Sequence, residues 1–141
     1  MSNTPHPMFV RGILLAAAYN IFGILIFSQG FSNPLLAQQD PAVFSWLGQV
    51  SILLWGLAYG AVAYRYLEVP SLLVVFFVEK MLYVVTWLCW LNTHASKLPE
   101  LFNTSPLTAL FFAVYGAGDL LFGLMFLLAA RHAWQLRPKS S

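Results

Sequence analysis

Glu79 and Lys80 stand side by side in the run LLVVFFVEKMLYVVTWLCWL (72–91), which is otherwise fit for hydrocarbon. Asp119, in GAGDLLFG (116–123), and Asn20, in RGILLAAAYNIFGILIF (11–27), interrupt two further apolar runs. Each of the four falls near the middle of its run. If the runs are helices crossing in alternate directions, two carboxyl groups, one ammonium and one amide come to a common depth. In a medium of low dielectric such a set could tie helices together, carry a proton, or hold the polar end of a bound molecule.

Magnitudes exclude a lipid-facing position for these groups. An ionised side chain at the centre of a bilayer costs about 2.5–3.5 kcal/mol on the insertion scale, so Glu79 and Lys80 together cost roughly 5–7 kcal/mol. The dozen or so Leu, Phe and Val residues around them return only about 4–7 kcal/mol. The third run is therefore marginal alone, and its charges need partners inside a bundle.

Helical geometry suggests which faces meet. Glu79, Tyr83, Thr86 and Trp90 follow an i, i+4, i+7, i+11 spacing and form one polar and aromatic face. Lys80 lies about 100° around and shares an arc with Tyr83 and Trp87. In the fourth run Gly116, Asp119 and Gly123 fall together, as do Gln49, Gly56 and Gly60 in the second. Small residues let backbones approach closely and bring a buried polar group within reach of its partner. The expected arrangement is a salt bridge from Lys80 to Asp119 or Glu79, the remaining carboxyl being held by Asn20, Gln49 or Tyr83, or protonated. The candidate ligand-binding or buried polar cluster is thus Asn20, Glu79, Lys80, Tyr83 and Asp119. Tyr19, Trp55, Tyr59, Tyr83, Trp87 and Tyr115 are candidates to line a pocket for a flat apolar ligand such as a quinone, a sterol or a lipid tail.

Other chemistries find no residues. His6, His94 and His132 lie near the ends of the runs, so none is placed to ligate a haem within the bundle, and no His, Cys or carboxylate set has metal spacing. Neither a nucleophile elbow nor a phosphate-binding loop occurs. Ser51 and Thr86 read as helix hydroxyls bonded to backbone carbonyls. The single cysteine, Cys89, precludes an intrachain disulfide and reads as packing.

The elements that must position these residues follow from composition. Of 141 residues, 60% are hydrophobic and 9% charged, with a mean hydropathy of +0.73; a soluble domain carries roughly 25% charged residues. Apolar segments at about 9–28, 43–66, 71–91 and 106–130 each approach or exceed the ~20 residues that cross a bilayer as helix. The first reads as a retained helix rather than a cleaved signal peptide. The connectors at 30–41 and 92–106 are polar and turn-rich, the one around Arg65 to Pro70 is tight, and Ser105-Pro106 marks the start of the fourth helix. With the N-terminus inside, Arg11, Arg65, Arg131, Arg137 and Lys139 are cytoplasmic and Lys97 external, which satisfies the positive-inside rule. Tyr64, Tyr66 and Trp134 at inner ends, with Trp46 and Trp90 at outer ends, fit interfacial aromatic belts. The basic residues form no stripe for nucleic acid. The expected fold is one all-α domain, a four-helix transmembrane bundle with both termini cytoplasmic.

The segments RGILLAAAYNIFGILIF (11–27), WGLAYGAVAYR (55–65), EKMLYVVTWL (79–88) and GDLLFGLMFLLAAR (118–131) together resemble the DoxX-like group of small bacterial membrane proteins. The shared features are an Arg opening helix one, a Gly-rich helix two, a Lys followed by an aromatic residue in helix three, and a polar residue in an Ala/Leu/Phe-rich helix four. The resemblance implies a compact bundle in the bacterial inner membrane, with Lys80 and Asp119 as polar bundle residues; some members of the group are subunits of quinone-linked sulfur oxidation. Glu79, immediately before the lysine, departs from the pattern. The leading expectation is a small multi-pass protein that binds a hydrophobic small molecule, lipid or quinone against the polar cluster. The alternatives are an accessory subunit of a larger membrane complex, a homo-oligomer included, and a membrane oxidoreductase or isomerase using a buried carboxyl. The residues name no cofactor.

Overall fold

The computed structural model describes residues 4–137, and Lys139 lies outside them. Among the described residues the regular elements are all helical: α1 (Pro7–Phe27), α2 (Pro34–Gln39), α3 (Trp46–Val62) with a 3₁₀ extension (Ala63–Glu68), α4 (Pro70–His94), a 3₁₀ turn (Ala95–Lys97), α5 (Leu98–Thr104) and α6 (Pro106–Gln135). Proline is the first residue of α1, α2, α4 and α6, where its missing N–H costs nothing and its fixed φ suits the helix. The Ser105-Pro106 start signal falls at the observed beginning of α6. At α3, which has no proline, the Ser45 hydroxyl caps the end by accepting from the Gly48 N–H at 3.1 Å.

Four helices, α1, α3 with its extension, α4 and α6, are long and apolar enough to cross a membrane. Two of them run past the bounds expected from hydropathy. α4 runs on to His94 and α6 to Gln135, because helix propensity does not stop where hydrophobicity does. The second segment leaves α geometry at Val62, where a non-helical Arg65 sits within the 3₁₀ extension.

The connectors expected as turns also hold short helices, each anchored by one buried leucine: Leu36 of α2 and Leu101 of α5. Asn33 caps α2 and fixes it in place, its Nδ2 donating to Phe27 O at 3.1 Å and to Thr108 Oγ1 at 3.0 Å. Before it the chain reverses through Gln29, Gly30 and Phe31, all at positive φ, a conformation only the glycine takes freely.

α4 packs along α6 and α1 along α3, and α1 joins the two pairs by its contact with α6. The remaining seam, α3 against α4, closes where Trp55 and Tyr59 meet Phe76 and Glu79. Toward Ser51 and Thr86 the two helices part around a groove of about 350 Å³. Two apolar cores fill the bundle. One gathers Ile13, Tyr59, Leu73, Phe76 and Phe126; the other gathers Ile24, Leu36, Phe44, Trp90, Phe111 and Phe112. Asn20, Lys80 and Asp119 lie between them along their helices.

Three surface expectations are corrected. Tyr66 and Trp90 are buried rather than interfacial: Tyr66 pairs with His132 Nδ1 at 3.0 Å and accepts from the His6 N–H, while Trp90 stacks on Phe112 and donates Nε1–H to Gln39 O at 3.1 Å. Each finds a polar partner for its polar atom inside, which removes the reason for an aromatic residue to sit at an interface. Cys89 is exposed, on the outward stripe of Val78, Leu82 and Val85, and so is not a packing residue. Trp46 and Tyr64 are exposed near helix ends as expected.

Gly116 shows why the α4–α6 seam is tight. A Cβ there would lie 2.2 Å from the Trp87 ring, and that ring is pinned by its Nε1–H donating to Phe112 O at 2.8 Å. Gly23, by contrast, has no atom within 4 Å of where a Cβ would be. We predict that Gly116→Ala destabilises by about 1–3 kcal/mol through overpacking. Gly23→Ala is expected to leave stability unchanged or raise it by up to about 1 kcal/mol. Thermal unfolding of the two variants side by side in one detergent checks the contrast.

Candidate functional site

The expected convergence of polar groups occurs. Lys80 Nζ donates to Asp119 Oδ1 at 2.7 Å and to Asn20 Oδ1 at 2.6 Å, and all three side chains are buried. Asn20 passes the link on, its Nδ2 donating to the Ile52 carbonyl of α3 at 3.1 Å. One ammonium therefore ties α4 to α6 directly and to α1 and α3 through a single amide. Glycines make room for the arrangement. A Cβ on Gly56 would fall 2.9 Å from Asn20 Cβ, and one on Gly123 would fall 3.1 Å from Lys80 Cβ. The ammonium also lies 5.5 Å and 5.3 Å from the ring centres of Tyr19 and Tyr59, within cation–π range.

Glu79 takes a different partner from those expected. Its Oε2 accepts from the Tyr59 hydroxyl, not from Asn20, Gln49 or Tyr83. The reasons are geometric. Asn20 is committed to Lys80 and Ile52. Gln49 lies ten residues before Tyr59, about 15 Å away along α3, and donates to Phe44 O at 2.8 Å. Tyr83 lines the wall above the cluster. Of the face read on α3, Gln49 and Gly56 are buried, but Tyr59 rather than Gly60 completes it. The i, i+3 spacing of Gly56 and Tyr59 was the available signal. Glu79 Oε1 is buried and has no hydrogen-bond partner. Since a buried acceptor left unmade costs about 1–3 kcal/mol, this oxygen is the unsettled atom of the cluster.

Above the cluster lies a cavity of about 80 Å³. Asn20, Glu79, Lys80 and Asp119 form its polar floor, Tyr19, Tyr83 and Tyr115 its flanks, and Ile24, Phe27, Phe44 and Phe111 its apolar upper walls. Three of the six aromatic residues singled out by sequence thus line it. Trp55, Tyr59 and Trp87 do not; they pack in the seams instead. Tyr19 is fixed by donating to Tyr115 O at 2.6 Å, over Gly118, where a Cβ would collide with its hydroxyl. Ser51 and Thr86 donate to Leu47 O and Tyr83 O of their own helices, at 2.8 and 2.9 Å, as their types suggested.

Chemically, the site joins an apolar chamber to a floor with one paired ammonium, one paired carboxyl and one carboxyl that is half-satisfied. It suits a small molecule with an apolar body and a polar end. No family model, no curated protein and no solved structure matches the chain.

The ion pair yields a stability test. Lys80→Met leaves Asp119 as an uncompensated buried charge and is expected to cost about 3–5 kcal/mol, whereas Lys80→Met with Asp119→Leu recovers most of that loss. Denaturant-monitored helix content of the single and double variants in detergent measures the difference.

Proposed function

We propose that this chain is a multi-pass inner-membrane protein, with both termini cytoplasmic, that binds a hydrophobic small molecule or lipid by its polar end in the cavity over Asn20, Glu79, Lys80 and Asp119. The DoxX-like resemblance belongs to this reading. It accounts for the compact bundle and for Lys80 and Asp119 as its polar residues, while Glu79 is the position at which this chain has its own chemistry.

The observation that carries the proposal is the pairing of an apolar chamber lined by Glu79 with a buried oxygen of that same side chain, Oε1, that has no hydrogen-bond partner. A cluster that served only to hold helices together needs no spare groups, and in the Lys80, Asp119 and Asn20 set every side chain has a partner on another helix. Glu79 has such a partner for Oε2 alone. Its second oxygen faces a need that a bound molecule can meet, and burial makes that need costly to leave unmet. The four apolar helices and the outward stripe of Val78, Leu82, Val85 and Cys89 supply the reason to place the bundle in lipid.

Native mass spectrometry of protein released from mild detergent tests the binding. A discrete copurifying mass is expected on the wild type, diminished in Glu79→Gln and absent in Gly23→Leu, which fills the chamber. Bare protein throughout, with Glu79→Gln merely less stable, would return the cluster to a structural role. Orientation is checked separately in a Cys89→Ser background. A cysteine at Lys97 is expected to react with a membrane-impermeant maleimide added to intact cells, and one at Arg131 only after lysis.

A further inference from the structure

The cavity is too small for the ligand it is proposed to hold. At about 80 Å³ it has roughly half the volume of an engineered apolar cavity that just admits benzene, about 150 Å³, and sites for whole organic ligands span about 300–1,000 Å³. Only a head group fits. The rest of the molecule must leave the chamber, and one neighbouring space is large enough. The groove where α3 and α4 part measures about 350 Å³, and Tyr83 borders both it and the cavity.

The walls of that groove indicate what it takes. Of its four hydroxyl-bearing residues, Ser51 and Thr86 spend their donors on their own helices and Ser45 caps α3, leaving Tyr83 at the border with the cavity, while Leu47, Leu82 and Val43 supply apolar surface. From Glu79 to Thr86 the helix rises about 10 Å, so a chain leaving the floor would run past Tyr83 and out along the seam. At the floor, Glu79 Oε1 lacks a donor, while two of the three Lys80 N–H groups are taken by Asn20 and Asp119. A hydroxyl is the smallest head that both donates and accepts, and it can answer Glu79 and Lys80 together.

Resting on the proposed binding role, we infer that the α3–α4 groove is the lateral opening of the cavity, with Tyr83 as the leaf between them, and that the ligand is a single-chain alcohol whose hydroxyl meets Glu79 and Lys80 while its hydrocarbon tail lies between Ser51 and Thr86.

The experiment uses the full chain in nanodiscs of one lipid composition, with bound probe read by native mass spectrometry against added n-hexanol, n-dodecanol, n-dodecylamine and dodecyl methyl ether. Wild type is expected to hold dodecanol about tenfold more tightly than the amine or the ether. Glu79→Gln abolishes that preference. Ser51→Trp and Thr86→Trp, which fill the groove from opposite walls, each lose about tenfold for dodecanol but keep hexanol. Gly23→Leu loses both alcohols. Should both tryptophan variants, folded by thermal melt, bind dodecanol like wild type while Gly23→Leu does not, the lateral opening is wrong and the cavity stands. Equal binding of all three dodecyl heads overturns the hydroxyl assignment. Failure of every probe on wild type removes the cavity as a ligand site, and this proposal with it.

Discussion

The Lys80 ammonium is the constraint on which the bundle depends. Its two hydrogen bonds reach α1 and α6, and the Asn20 amide extends the first of them to α3. A charge in an apolar interior leaves little choice of geometry, because a displacement of an ångström or two exchanges a paired ion for an unpaired one. Leucines can pack in many registers; this contact permits one. The glycines at 56 and 123 follow from it, as positions where backbones must come close enough for short polar side chains to meet.

The same requirement explains why the bundle is asymmetric. The ion pair draws α4 onto α6, where Gly116 and Gly123 admit Trp87 and the Lys80 stem. The amide draws α1 onto α3. Between α3 and α4 the seam is held where Trp55 and Tyr59 meet Phe76 and Glu79, so it is closed over part of its length and open over the rest. A cavity beside a parted seam is thus the remainder left when two helix pairs are fixed by a node that does not span all four seams equally.

Much of this could be read from residue types. Four apolar runs give four helices, and three polar residues near the middle of different runs meet in space, because no other location satisfies them. What could not be read was which carboxyl would pair with the lysine and who would receive the other. Glu79 and Asp119 are equivalent as residue types, and adjacent residues on a helix point about 100° apart. Only the packing of α4 on α6 decides that Lys80 faces Asp119 while Glu79 turns to α3. Tyr59 was named as a pocket aromatic but serves as a hydrogen-bond donor, since its role depends on that rotation. Tyr66 and Trp90 were misplaced for a related reason. An amphipathic ring marks an interface only when its polar atom has no partner within, and hydropathy carries no information about such partners.

Glu79 and Lys80 are consecutive residues in the middle of a 25-residue helix, and this has a mechanical consequence. They share one helix backbone and point about 100° apart, so a rotation of α4 about its axis moves both head groups at once. A rotation of α4 is resisted on the α6 side by the Lys80–Asp119 pair and by the Trp87 ring against Gly116, and on the α3 side by the Tyr59–Glu79 hydrogen bond. Glu79 is held toward α3 and Lys80 toward α6, so the same rotation would unseat both contacts together.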